Sequence, residues 1–322
     1  GQNCCQIFHL KHLCARNRTS QEFLIGGHME FGVCFKGELS PKRLRRLVQQ
    51  LEAGGFDYCW FYDSHILWRD CYVAMAMCIE HTSRIRFGPC VTNPGVREWS
   101  VAASLFAALA LQSEGRFDIG LGRGDSSLRV MGKRPANLRS MVEFGQQVKA
   151  MVRGEEVTYP DCPSSVKFSW AAGHDLPLWI AAYGPKALKS AGEYGDGLIL
   201  QIAEPEICRW LATQARLAGQ ARGRDMSNYR VMAAAPAFVG PMDVCIEKTR
   251  WFPAMVGNHI AEIVERYGAD SNALPRSLSA YVKNRRGYDY SKHGQSDNPY
   301  LDFITPDVVE SFGVLGSVEQ HV

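Results

Sequence analysis

The stretch Arg116-Phe-Asp-Ile-Gly-Leu-Gly-Arg-Gly-Asp-Ser126 decides how the chain is read. Phe117 to Leu121 has the pattern of a short apolar strand. It runs directly into a turn in which Gly120, Gly122 and Gly124 alternate with Leu121, Arg123 and Asp125. Glycines at this density cost backbone entropy, so the local structure must need positive φ or close approach of the backbone to a ligand. Bare N–H groups around an arginine form a natural anion cradle. A tight strand-to-loop exit without a ligand is the plainer alternative, and the stretch alone leaves both open.

Working outward, strands and helices alternate on both sides. Upstream lie strand patterns at 30–35, 58–62 and 84–91, separated by helical patterns at 41–53, 72–79 and 100–112. Ser40 is placed to cap the first of these helices, Pro41 suits its first position, and Gly54-Gly55 stops it. Downstream, helical patterns at 138–153, 186–194, 205–219 and 241–267 alternate with strands at 178–182, 197–201 and 229–239. Such alternation implies parallel strands with helices outside. Repeated units of roughly 30–40 residues point to a (β/α)8 TIM barrel rather than an open sheet. Residues 29–322 read as a single barrel domain with insertions near 155–175 and 268–305, and residues 1–28 as a leader that is non-native or disordered. Seven strands are visible. Phe312-Gly-Val-Leu-Gly316 is followed by the start of a helix at 317–322, so the chain is expected to lack the last strand and helix of its barrel and to be open between its seventh and first strands.

Composition narrows the function. The 322 residues are 46% hydrophobic and 21% charged with a net charge of +3, too mild to imply nucleic acid or a membrane surface as partner. No apolar run reaches the ~18 residues of a membrane span. Eleven cysteines are scattered without a C-x-x-C pair, which disfavours zinc, and an odd count fits reduced thiols in a cytoplasmic setting. The expected partner is a small-molecule substrate, with a homodimer as an option.

In a barrel, chemistry collects at the C-terminal ends of the strands. Those ends hold Asp63 and His65; Cys90, Val91, Thr92 and Asn93; Gly122 to Asp125; Ala182 to Lys186; and Gln201. Asp63 and His65 combine a carboxylate and an imidazole able to move a proton, or else a turn cap and a surface histidine. Pro89 interrupts the strand before Cys90 and implies a bulge or break. Tyr183-Gly184-Pro185-Lys186 opens a helix whose free N–H groups, beside Lys186, suit a phosphate. His9, His28, His174, His259, His293 and His321 show no partner pattern and read as surface or loop; Trp60, Trp179, Trp251, Met75 and Met77 read as core.

Four motifs occur in order: Gly88-Pro-Cys-Val-Thr-Asn-Pro94, Gly120-Leu-Gly-Arg-Gly-Asp125, Ala181-Ala-Tyr-Gly-Pro-Lys186 and Gly195-Asp-Gly197. Together they resemble the luciferase-like superfamily of flavin and deazaflavin oxidoreductases, nearest the methylenetetrahydromethanopterin reductase branch that uses coenzyme F420. The likeness is good over Met29 to Tyr194 and then thins. It implies a barrel with the cofactor at the strand ends and a non-prolyl cis peptide at Cys90–Val91. It places Asp63 and His65 near ring and substrate as catalytic residues, and Thr92 and Asn93 at the ring's edge. Gly184, Pro185 and Lys186 would meet the cofactor phosphate, with Gly122, Arg123, Gly124 and Asp125 close by and Ala182, Tyr183 and Gln201 completing the wall. Two departures stand out: Ser64 separates Asp63 from His65, and Arg97-Glu98-Trp99 replaces the family's usual Arg-His-Pro. The expected function is an oxidoreductase moving a hydride between bound F420 or FMN and an organic substrate. The alternatives are an FMN-dependent luciferase-like monooxygenase and a non-catalytic flavin-binding barrel. A metal-dependent hydrolase lacks the ligand cluster it would need.

Overall fold

The computed structural model describes residues 6–7, 29–159, 163–202, 204–267, 289, 292, 301 and 304–321. In chain order the elements are β1 (Gln6–Ile7), β2 (Gly32–Phe35), α1 (Pro41–Ala53), β3 (Tyr58–Phe61), α2 (Cys71–Ile79), β4 (Arg86–Pro89), α3 (Trp99–Gln112), β5 (Ile119–Leu121), α4 (Asp125–Arg129) and α5 (Leu138–Val152). A short hairpin follows, β6 (Val157–Thr158) with β7 (Ser165–Val166), inside the first expected insertion. Then come β8 (Leu178–Ala181), α6 (Pro185–Tyr194), β9 (Gly197–Leu200), α7 (Pro205–Ala221), β10 (Arg230–Ala233), β11 (Ala235–Val239), α8 (Met242–Thr249), α9 (Trp251–Tyr267), α10 (Pro306–Phe312), β12 (Val314–Gly316) and α11 (Val318–His321). Most of the second expected insertion lies outside the described residues.

The sheets join into an α/β barrel. Strands β2, β3 and β4 pair in parallel in chain order, as do β5, β8, β9 and β10. Parallel bridges Phe87–Phe117 and Thr92–Leu121 connect β4 to β5 and make the two sheets one wall. The seventh strand pattern at 229–239 is split: β10 pairs β9 and β11 turns to other partners, with Ala234 N–H still donating to the Leu200 carbonyl at 2.8 Å.

The helix starts follow local chemistry. The Ser40 side chain accepts from Arg43 N–H ahead of Pro41, and the Asp70, Glu98 and Asn137 side chains cap α2, α3 and α5 in the same way. Inside the barrel, Cys34, Tyr58, Trp60, Trp179, Ile199 and Met232 form one apolar cluster. The larger core lies between strands and helices and includes Phe61, Phe87, Phe106, Ile119 and Leu198. Beneath the interior cluster, the Asp118 carboxylate accepts from Trp179 Nε1 at 2.8 Å and Arg86 Nε at 2.9 Å, so a charge deep in the barrel is matched.

Two expectations about the seam change. Val314–Gly316 is a strand after all, parallel to β11 in the register Ala237–Val314 to Val239–Gly316. It is three residues long, too short to show a period of two. The space between β11 and β2 is also not left open. Gln6–Ile7 pairs antiparallel with both, Gln6 opposite Pro236 and Cys34.

The contact that sets β4 against β5 is unusually close. A Cβ on Gly120 would collide with the Pro89 carbonyl oxygen, one on Gly122 would stand 2.6 Å from Val91 Cγ2, and one on Gly124 would stand 2.5 Å from Asn93 Cγ. The glycines therefore admit alternate residues of the neighbouring chain. Gly120→Ala is expected to lose about 2–3 kcal/mol by overpacking, measured by urea denaturation. Gly240→Ala, where the nearest atom is 3.6 Å from the new Cβ and φ is ordinary, should stay within about 0.5 kcal/mol of the parent.

Candidate active site

The ends of β3, β4, β5, β8 and β9 converge on a cavity of about 370 Å³. That is within the range of small-molecule and cofactor sites. Of the expected site residues, Asp63, Cys90, Val91, Gly122, Arg123, Gly124, Asp125, Ala182, Tyr183, Gly184, Lys186 and Gln201 line it. His65, Thr92, Asn93 and Pro185 do not.

The Cys90–Val91 peptide is cis, and both residues face the cavity. The chain then runs along the glycine turn. Thr92 N–H donates to the Gly120 carbonyl at 2.9 Å, and Gly122 N–H donates to the Thr92 carbonyl at 2.9 Å. Asn93 is fully buried behind the wall, where its Nδ2 donates to Ser127 Oγ and its Oδ1 accepts from Gly95 N–H. Gly124 takes φ +85° and starts α4.

Asp63 is buried and fully engaged. Its Oδ2 accepts from Tyr72 OH at 2.8 Å, Thr92 Oγ1 at 2.8 Å and Arg97 Nη1 at 2.8 Å, and its Oδ1 from the same Arg97 nitrogen at 3.1 Å. Arg97 also binds Asp70 at 3.0 Å and stacks over the Tyr72 ring at 4.5 Å. Burial, reinforced by the Asp63 charge, pushes the Tyr72 hydroxyl well above its ordinary range, so it stays a donor. Within Arg97-Glu98-Trp99 each residue has a local partner. Arg97 neutralises Asp63, Glu98 caps α3 through Ser100 and Val101 N–H, and Trp99 packs on Tyr159 of the hairpin at 4.5 Å between ring centres.

Ser64, the residue inserted before His65, is buried and lines the cavity, with its hydroxyl 2.9 Å from that of Ser126. His65 is exposed instead. The imidazole that does line the cavity is His259 of α9, which sequence reading assigned to surface or loop. Its ring stacks on Tyr183 at 4.1 Å and 7°. Met255, one helical turn earlier, lines the same cavity. The spacing of Met255 and His259 places both on one helical face, but nothing local said which face of α9 met the barrel mouth. Tyr183 in turn accepts from Gln201 N–H at 2.8 Å, and burial raises its hydroxyl far above the usual tyrosine range. Asn137 and Leu138, at the start of α5, are further lining residues with no sequence signal.

The far wall suits an anion. Gly184 is the N-cap of α6 without a side-chain hydrogen bond, and Pro185 has no N–H to offer, which leaves the next amides of the first turn without a side-chain cap. Lys186 and Arg123 add positive charge to the lining, although Arg123 Nε also donates to the Ala136 carbonyl. Among the described residues no cluster of three or more His, Cys, Asp or Glu is arranged to hold a metal, and no helix is long and apolar enough to cross a membrane.

The model of the luciferase-like monooxygenase family matches residues 29–322. The chain belongs to that family. Among relatives of this luciferase-like protein, the 5,10-methylenetetrahydromethanopterin reductase of Methanolobus tindarius is 29% identical over 214 residues, 64% of either chain, so the match spans just under two thirds of that relative. The enzyme of the same name from Methanopyrus kandleri is 26% identical over 317 residues, 91% of this chain and 87% of the relative. Among solved structures, the coenzyme F420-dependent tetrahydromethanopterin reductase of Methanopyrus kandleri superposes with a TM-score of 0.68 at 22% identity, covering 91% of this chain and 88% of its own. The oxygenating constituent of 3,6-diketocamphane monooxygenase of Pseudomonas putida, solved with FMN, superposes with a TM-score of 0.56 at 17% identity, covering 90% and 91%. These likenesses support a luciferase-like barrel.

Arg97→Met would leave the Asp63 carboxylate buried without its cation. It is expected to cost about 3 kcal/mol, read by chemical denaturation. A change below about 1 kcal/mol would show that Thr92 and Tyr72 suffice to hold Asp63.

Proposed function

We propose that this protein is an oxidoreductase that binds F420 or FMN at the mouth of its barrel and moves a hydride between that ring and an organic substrate. The observation that carries this reading is the cavity itself. One space combines an uncapped helix start, Lys186 and Arg123 with apolar stretches formed by Val91, Leu138, Ala187, Ile199 and Met255 and polar groups such as Asn137 and Gln201. Both candidate cofactors pair a phosphate with a flat ring, and the donor set and the apolar walls fit those two parts. The lengthwise relative and the F420-dependent reductase fold favour F420; the FMN-bound neighbour keeps FMN in view. When bound, either ring supplies a two-electron acceptor and donor, and FMN adds reaction with oxygen.

The chain's own residues do the rest. Gly184, Lys186 and the first-turn amides of α6 hold the phosphate, with Arg123 as a second charge. Cys90, Val91 and Gly122 form a wall whose shape is set by the β4–β5 interlock. Asp63, with all its donors in place, acts by holding Thr92 and thereby that wall, rather than as the group that exchanges a proton with substrate. Asp125 and Ser126 border the remaining space with Ala182 and Gln201. Seven free buried cysteines among the described residues fit a reducing, cytoplasmic setting.

A second copy of the chain is the proposed macromolecular partner. Helices α2 and α3 are apolar nearly all round, and Val73, Val101 and Leu111 are more than half exposed. A helix of that composition is normally covered on every side.

Purified protein mixed with F420 or FMN should quench the fluorescence of at least one, and Lys186→Ala should weaken that binding roughly tenfold, the value of one charge-assisted hydrogen bond. An unchanged Kd would sink the phosphate assignment. In sedimentation velocity the parent should run as a dimer and Val73→Glu/Val101→Glu as a monomer; a monomeric parent removes the homodimer.

A further inference from the structure

Hydride transfer at a carbon bearing oxygen or nitrogen needs a group that takes or returns a proton. The titratable side chains facing the cavity are few. Asp63 at the end of β3 is tied to Arg97, Tyr72 and Thr92. Asp125, from the turn after β5, pairs with Arg129 at 3.0 Å. Tyr183, after β8, accepts from Gln201 N–H and its hydroxyl is pushed far up by burial. Arg123 and Lys186 are cations whose place is on an anion. Cys90 belongs to the wall packed on Gly122.

His259 is a further titratable group facing the cavity. It comes from α9, outside the ring of strand ends. It is half-buried rather than sealed, and it is the one histidine among the described lining residues. Its ring plane is set by the parallel stack on Tyr183 at 4.1 Å, and Tyr183 is itself held by the backbone of Gln201. An imidazole of fixed orientation in the wall of the cavity is a suitable acid–base group. Met255 beside it gives that part of the cavity an apolar face.

Resting on the function proposed above, we infer that His259 is the catalytic acid–base residue of this protein, in the place that sequence assigned to His65. Its substrate is an organic molecule whose reacting carbon carries an O–H or N–H. With a ring bound as two-electron acceptor, the oxidative direction would break the substrate C–H bond and pass its electron pair on as hydride. The O–H or N–H bond breaks and its proton goes to the His259 imidazole, and the C=O or C=N bond forms. The reductive direction returns both. Tyr183 is the positioning residue that keeps the imidazole ring in plane.

The test uses the full chain with labelled histidine, followed by NMR from pH 5 to 9. The imidazole signal missing from His259→Gln identifies the residue; through-bond assignment of the parent serves if that variant does not fold. The parent is titrated alone and with saturating FMN or F420, whichever quenches. The expected result is a His259 signal that titrates within the range and a midpoint that moves by at least about half a pH unit when the ring is bound. Tyr183→Ala, which removes the stacked ring, should abolish the shift. A His259 signal that does not titrate, or is unmoved by a bound ring, overturns the inference while leaving the cofactor site standing. A parent that binds neither FMN nor F420 overturns the proposed function, and this inference with it.

Discussion

The close passage of β4 beside β5 is the constraint on which the rest of the site depends. Pro89, Val91 and Asn93 each press on a glycine, Gly120, Gly122 and Gly124 in turn. The two segments run parallel there, bridged at Phe87–Phe117 and again at Thr92–Leu121, with the cis Cys90–Val91 peptide between the bridges. Two backbone hydrogen bonds through Thr92 lock the register. A slip by one residue would set side chains against Leu121 and Arg123 instead of glycine. The interlock thus decides at once where the Cys90–Val91 wall stands, where α4 begins and how deep the cavity is.

A buried network reinforces it from the other side. Thr92 offers its backbone to β5 and its hydroxyl to Asp63, so the same residue joins the glycine seam to the end of β3. Asp63 in turn draws Arg97 and Tyr72 inward, and Arg97 reaches Asp70 at the cap of α2. Three strand ends and two helix starts are tied through one carboxylate. Burying a charge is unfavourable unless it is matched, and here both oxygens are matched, Oδ2 by Tyr72, Thr92 and Arg97 and Oδ1 by Arg97. The arrangement favours rigidity of the wall over freedom of the carboxylate, which is why a strand-end Asp that looks reactive in sequence becomes part of the frame.

Much of this was legible in the chain. Local signals were reliable where cause and effect lie within a few residues: Ser40-Pro41 started α1, Gly54 stopped it, and Pro185 opened α6. The glycine alternation also marked the right place: each of the three admits a close neighbour from β4 or the residues just after it, and Gly122 and Gly124 also line the cavity. Glycines tell that something comes close and not what. Val314–Gly316 escaped notice because three residues carry no period, and Gln6–Ile7 because two residues carry even less. His65 misled because a residue two places past a strand-end Asp can point either way. Ser64 took the inward position and left the histidine in solvent.

His259 shows the other limit. A side chain on a helix remote from the strand ends enters the site only through the packing of the whole mouth. α9 packs through Trp251, Phe252, Met255 and Val256 into the main core, which turns its Met255–His259 stripe toward Tyr183. No local pattern distinguishes that stripe from an ordinary buried face. Yet the core contacts that orient α9 are the same class of contact that the sequence reading assigned correctly to Trp251. The position of His259 therefore follows from a legible fact, the burial of Trp251, combined with one that is not, the angle at which α9 crosses the barrel. In a barrel whose strand-end carboxylate is committed to holding the wall, a group arriving from outside the strand ring is the natural source of proton chemistry, because its role does not draw on the interlock beneath it.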